Sequence, residues 1–303
     1  MSTPPWRGLR RWHLCLVMIA VALTACASPA PGPEGPSPDR TSLSPHASLS
    51  PHATPKRYVA LGSSYASGPE GSLTDRRCGR SDDNYPHQVA GLLRMNLVDV
   101  SCSGATTTDI LQRAQPGAAD APQIDAVTVD TALVTLTVGG NNIDYMRRAM
   151  AWSCAAAGAV PNTRRCDPLA PPLPTADDLE ALSDSLTRVV TEISDRAPNA
   201  TVVVVDYPPL AIRGDFGCAA LPLTYEQIAE VSVVLDHITE ALADAASQVD
   251  AHVVEASRAG RAHGVCSPQP WLYGYHGPSP YHQNPEGKSA IARLVAETVG
   301  RAG

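Results

Sequence analysis

A repeating rhythm constrains this chain more than any other feature. Five short runs rich in Val and Leu, at residues 58–61, 97–100, 132–138, 201–206 and 252–255, recur with turn-forming residues at their ends. Apolar runs of that length are predicted as strands buried on both faces. The stretches 175–195, 224–249 and 285–301 carry apolar residues at helical spacing, and Asn284 before Pro285 supplies an N-cap followed by proline in the first turn. Strands alternating with helices predict an α/β fold, a three-layer α/β/α sandwich. Its central sheet has five strands, mostly parallel, with helices on both faces. In such sheets functional groups gather outside the carboxyl ends of the strands.

Three segments follow predicted strands directly and therefore share that rim. They are Gly62-Ser63-Ser64-Tyr65-Ala66-Ser67-Gly68, Ser101-Cys102-Ser103-Gly104-Ala105 and Gly139-Gly140-Asn141-Asn142. A fourth, Tyr281-His282-Gln283-Asn284-Pro285-Glu286-Gly287, lies near the C-terminus. A serine hydroxyl is a poor nucleophile unless a base removes its proton during attack, which assigns Ser64 as nucleophile and His282 as base. Attack on an ester carbonyl makes an oxyanion that fixed donors must meet. The backbone N–H groups of Ser64 and Gly104 and the side-chain amide of Asn141 are the candidates. Together these are the parts that acyl transfer needs.

The four segments, in this order, resemble the sequence blocks of the SGNH hydrolases, the GDSL-type lipases and esterases. Gly62 to Gly68 is similar to G-D-S-x-x-x-G with Ser63 for Asp, and Gly104 matches the glycine of the second block. Gly139 to Asn142 is similar to G-x-N-D with Asn142 for Asp, and His282 to Gly287 to H-P-N-x-x-G. The resemblance runs from Tyr58 to the C-terminus. It implies cofactor-free hydrolysis of carboxylic esters, on lipids, acetylated sugars or small esters according to pocket shape. A carbohydrate O-acetyl esterase and a surface lipoprotein that binds without catalysis are the alternatives. The second of these rests on the absence of Asp from three motif positions.

One of those positions is the acid of D-x-x-H, where Ser279 stands here. A catalytic imidazole still needs its second nitrogen held. Asp144 and Asp206 lie far from the last block in sequence, whereas actinobacterial members of the family imply a main-chain carbonyl three residues before the histidine. That reading gives a Ser64–His282 dyad oriented by the Ser279 carbonyl, with the histidine titrating near its unperturbed value of about 6.5. His276, six residues upstream, lacks the downstream Asn and Gly.

The N-terminus reads as an export leader. Arg7, Arg10 and Arg11 precede an apolar run at 14–23, too short to span a bilayer, so residues 1–25 are expected to be a signal peptide. Leu23-Thr24-Ala25-Cys26 resembles a lipobox, which makes Cys26 the expected lipidation site. Residues 26–56 are rich in Pro, Ser and Ala, with His46 and His52 in a near-exact repeat, and form the expected tether. Residues 57–303 form the hydrolase domain. The expected location is the outer face of the cell membrane through that anchor, or the medium.

Setting aside Cys15 and Cys26 leaves Cys78, Cys102, Cys154, Cys166, Cys218 and Cys266, an even set in an exported chain. Six cysteines allow fifteen pairings; the family resemblance implies pairing in sequence order. The chain has no C-x-x-C pair, which argues against zinc, and no metal site is assigned. A formal charge of −7 without a basic stripe excludes a nucleic-acid partner. The stretch 151–174, with many prolines and two cysteines, reads as a loop beside the cleft, and the protein is expected to act as a monomer on an ester substrate, lipids included.

Overall fold

The computed structural model describes residues 54–158 and 166–302. The expected leader, Cys26, His46, His52 and all but the last three residues of the tether lie outside the described residues.

Among the described residues seven strands, β1 (Arg57–Gly62), β2 (Leu73–Asp75), β3 (Arg80–Ser81), β4 (Asn96–Asp99), β5 (Thr131–Thr137), β6 (Thr201–Val205) and β7 (His252–Val254), run among eight α-helices. The helices are α1 (Ser64–Ser67), α2 (Tyr85–Leu93), α3 (Thr107–Leu111), α4 (Tyr145–Ala157), α5 (Ala176–Arg196), α6 (Tyr225–Ser247), α7 (Ala256–Ala259) and α8 (Pro285–Ala302). Five strands form one parallel sheet in the order β4-β1-β5-β6-β7, with β1 registering Ala60 against Asp99 on one side and Thr135 on the other. The expected strands are the observed ones; β2 and β3, a small antiparallel pair, are too short to show a pattern.

Burial follows the period of two that a parallel sheet with both faces covered demands. Val59, Leu61, Val134, Leu136, Val202 and Val204 pack with Leu186 and Val189 of α5 and Leu235 and Ile238 of α6. Their neighbours Tyr58, Ala60, Leu133, Val203 and Val205 pack on the opposite face with Val89 of α2 and Ile291 and Val295 of α8. Fully burying one such aliphatic side chain stabilises the fold by about 1.5–3 kcal/mol, so α8 is fixed to the sheet by several of these.

Helix ends are set by local chemistry. Thr175 and Thr224 cap α5 and α6 through capping boxes with Asp178 and Gln227. Asn284 Oδ1 accepts the Gly287 N–H at 2.8 Å, and so fixes the first turn of α8 two residues after His282.

The expected loop at 151–174 is corrected in its first part. Residues 151–157 continue α4, because Ala151 and Cys154 bury one face of a regular helix and Ala155, Ala156 and Ala157 favour it. Disulfides join Cys78 to Cys102, Cys154 to Cys166 and Cys218 to Cys266. No helix among the described residues is long and apolar enough to cross a membrane.

Candidate active site

The sheet order places the switch of winding direction at β1, and the candidate site lies there, above the carboxyl ends of β4, β1 and β5. Gly62 closes β1 with φ 144, and a Cβ there would meet the Thr137 carbonyl oxygen at 2.4 Å, so only glycine permits this exit. The turn is stitched to both neighbouring strands: the Ser63 N–H donates to Thr137 O, and the Cys102 N–H to Gly62 O, each at 2.9 Å. The Gln123 amide accepts from the Gly62 N–H at 2.8 Å and donates to the Gly62 carbonyl at 3.0 Å. Gln123 left no sign in the sequence, because a lone Gln in a polar turn has no periodicity to betray it.

Ser64 opens α1 with its side chain partly exposed among buried neighbours. His282 Nε2 lies 2.8 Å from Ser64 Oγ, and His282 Nδ1 lies 2.9 Å from Pro280 O. A carbonyl oxygen only accepts, so Nδ1 carries the proton and Nε2 presents the lone pair that can receive the serine proton. This corrects the orienting group. Ser279 O instead accepts the His282 backbone N–H at 3.1 Å, closing a β-turn whose central residues are Pro280 and Tyr281. Tyr281 has φ 61, the left-handed value that the third position of a type II turn requires, and that turn carries the Pro280 carbonyl to the ring.

No carboxylate among the described residues is hydrogen-bonded to the His282 ring. Asp144 sits at the start of α4 beside Arg147. Asp206 accepts from the Ser257 N–H at 2.7 Å and from the Ser257 hydroxyl at 2.5 Å; burial raises its pKa to about 6. Burial lowers the pKa of His282 to about 4, helped by the Lys288 charge and opposed by the bond to Pro280 O. The ring is therefore held neutral to lower pH than the unperturbed value of about 6.5 implies.

The imidazole is positioned by the segment that carries it. Tyr273 N–H donates to His282 O, Tyr281 N–H to Tyr273 O and Asn284 N–H to Trp271 O, all near 3 Å, which lays residues 281–284 along 271–273. The Tyr281 hydroxyl donates to Ser153 Oγ, which donates in turn to Ala149 O, so α4 braces the same turn. His276 is exposed and contacts Tyr275, away from any bond to Ser64.

The expected donors lie on the two adjoining loops. Among the described residues the Ser64 and Gly104 N–H groups have no acceptor, and Gly104 is exposed with φ 85. Asn141 Nδ2 donates to Ala105 O at 2.9 Å, which ties the third loop to the second and leaves one amide hydrogen for another acceptor. Asn142 makes a matching pair with Thr107, accepting from its N–H and donating to its hydroxyl. Among the described residues no group of three His, Cys, Asp or Glu could hold a metal.

Residues 60–290 match the GDSL-like Lipase/Acylhydrolase family model. Lipase 2 of Streptomyces coelicolor is 32% identical over 270 residues, 82% of this chain and 90% of its own length. A lipase of Streptomyces rimosus is 30% identical over 240 residues, 77% of this chain and 82% of its own. The crystal structure of an extracellular lipase from Streptomyces rimosus superposes with a TM-score of 0.61 at 26% identity, covering 80% of this chain and 99% of that one. Phospholipase A1 from Streptomyces albidoflavus shares the fold with a TM-score of 0.62 at 23% identity, covering 81% and 100%.

Proposed function

Because the chain belongs to the GDSL-like lipase/acylhydrolase family and is a carboxylic ester hydrolase, we propose that it works through an acyl-enzyme on Ser64 with a Ser64–His282 dyad. The observation that carries this reading is the 2.8 Å separation of His282 Nε2 from Ser64 Oγ, with Nδ1 committed to the Pro280 carbonyl. As Ser64 Oγ attacks the ester carbonyl, its proton passes to Nε2. The charge that develops on the former carbonyl oxygen is met by the Ser64 and Gly104 N–H groups and the free Asn141 amide hydrogen. Each such donor is typically worth about 3 kcal/mol of barrier. The imidazolium then protonates the leaving alcohol, and water, deprotonated by the same nitrogen, releases the acid from Ser64.

The substrate in this reading is a lipid ester acted on outside the cell. The names of the Streptomyces relatives support the lipid, and the three disulfides support an oxidising compartment. Attachment through Cys26 and action as a monomer belong to the same proposal. Turnover of chromogenic esters of increasing acyl length, set against release of acetate from acetylated polysaccharide, tests the substrate. Preference for medium or long acyl chains fits the proposal, and preference for the polysaccharide overturns it. Detergent partitioning of the full chain and of Cys26→Ala tests the anchor: wild type in the detergent phase and the variant in the aqueous phase support it, and both in the aqueous phase refute it.

A further inference from the structure

Gln115 lies half-buried in the segment after α3, and its side chain reaches back to the loop that carries Gly104. Its Nε2 donates to the Ser103 carbonyl at 2.7 Å. That carbonyl belongs to the same peptide unit as the Gly104 N–H, and a planar trans peptide points the two groups in opposite directions. Whatever fixes the carbonyl therefore aims the N–H. The rest of the loop is fixed as well: the Ser103 N–H donates to Cys78 O at 2.9 Å, the Ala105 N–H to Cys102 O at 3.0 Å, and Asn141 Nδ2 to Ala105 O at 2.9 Å. Ser103 Oγ also lies 2.9 Å from Ser67 Oγ on the helix begun by Ser64. Of the N–H groups from Cys102 to Ala105, that of Gly104 alone has no acceptor among the described residues.

The Gln115 amide is held in an arrangement that stability alone does not favour. A carbonyl only accepts, so the nitrogen must face Ser103 O, and Oε1 is left buried with no hydrogen-bond partner among the described residues. Leaving such an acceptor unpaired typically costs about 1–3 kcal/mol. The backbone beneath the amide is nevertheless tied down: the Ala118 and Ala119 N–H groups donate to Gln115 O at 3.1 and 3.0 Å, and Ala118 packs on Cys78 and Cys102. We propose that Gln115 is a positioning residue for the oxyanion, clamping the peptide between Ser103 and Gly104 so that the Gly104 N–H stays aimed at the site. The bond to the Ser103 carbonyl also polarises that peptide and strengthens its N–H as a donor. A donor aimed in advance needs no reorientation as charge develops, which is where its stabilisation of the transition state comes from.

The inference rests on the Ser64 acyl-enzyme and its oxyanion donors, so the experiment reads the two separately. Kinetics on a chromogenic ester, melting temperature and affinity for butylboronic acid would be measured for wild type, Asn141→Ala, Gln115→Met and Gln115→Glu. Ser64 Oγ adds to the boron and its proton passes to His282 Nε2, leaving a tetrahedral boronate with one hydroxyl oxygen where the oxyanion would stand. Gln115→Met removes the donor and the unpaired oxygen together, so it should melt no lower than wild type. Its kcat should nevertheless fall about tenfold, short of the about 10²–10³ that outright loss of a donor costs. Affinity for the boronic acid should fall by the same factor, with KM little changed; a purely structural role would lower the melting temperature and leave that affinity in place. Gln115→Glu sets an acceptor against the Ser103 carbonyl and should lose at least as much, and it decides alone should Gln115→Met fail to fold. Unchanged kcat and boronic-acid affinity in the folded Gln115 variants, with Asn141→Ala impaired, would overturn the role of Gln115 and leave the oxyanion donors standing. Unchanged values in Asn141→Ala as well would overturn the donors and the inference with them.

Discussion

The Tyr65 hydroxyl donates to the Tyr281 carbonyl across a 2.6 Å contact, joining the residue after Ser64 to the residue before His282. Two segments 216 residues apart in sequence are thereby held in one register, and the Tyr65 ring lies 5.4 Å from the His282 ring. A dyad without a carboxylate depends on placement, because no charge draws the imidazole into position. Tyr65→Phe should keep the fold, cost about 1–2 kcal/mol of stability for the buried bond lost, and lower kcat more than it alters KM. Thermal denaturation and steady-state kinetics check both halves.

Substitution of the carboxylates should be mild. Asp144→Asn and Asp206→Asn should each retain turnover within several-fold of wild type, as should Ser279→Ala, whose side chain does not orient the ring. A true acidic triad member would cost about 10⁴-fold. Comparison of kcat/KM with circular dichroism on each variant separates loss of chemistry from loss of fold.

Activity should persist well into the acid range. His282 accepts a proton only when neutral, so turnover is present above its folded pKa and fades as pH falls through about 4. The unfolded chain binds that proton near about 6.5. Between about 6.5 and 4 the unfolded state thus holds more protons, and this group's contribution to stability declines as pH falls. A pH–rate profile with a midpoint near 6.5 would contradict the half-buried, carboxylate-free environment of the ring.

Asn141→Ala should lower kcat by about 10²–10³ if its amide meets the oxyanion, with KM little changed. The same change also removes the bond to Ala105 O, so retained thermal stability is needed to assign the loss to chemistry. Stopped assays at saturating substrate give the number.

Gly287→Ala should be damaging although it adds one methyl group. Its Cβ would stand 2.1 Å from the Trp271 carbonyl oxygen, so the first turn of α8 must shift away from the strand-like segment that holds His282. Overpacking of this kind typically costs about 1–3 kcal/mol, and displacement of the base should make the loss of kcat exceed what that destabilisation explains. Melting temperature and turnover measured together show whether the two move apart.

The sheet and its helices were legible because burial on both faces writes itself as continuous Val and Leu runs, helical spacing marks 175–195 and 224–249, and Asn284 before Pro285 marks the start of α8. Ser64, Gly104, Asn141 and His282 were legible from position, each beside a strand end or a helix start. The orienting carbonyl was misplaced by one residue, from Ser279 to Pro280. Pro280 does suggest a turn, but a type II turn ordinarily places glycine where Tyr281 stands, and the left-handed tyrosine hides it. Gln123 and Tyr65 were not legible, since their partners lie 61 and 216 residues away and only the fold brings them together.

Covalent capture of the nucleophile tests the central claim most directly. Wild-type protein, Ser64→Ala and His282→Ala would each be treated with a phosphonate ester probe and mapped by peptide mass spectrometry. The dyad predicts one adduct per wild-type chain, on Ser64, none on Ser64→Ala, and much slower labelling of His282→Ala. An adduct on Ser67 or Ser103, or unchanged labelling without His282, would contradict it.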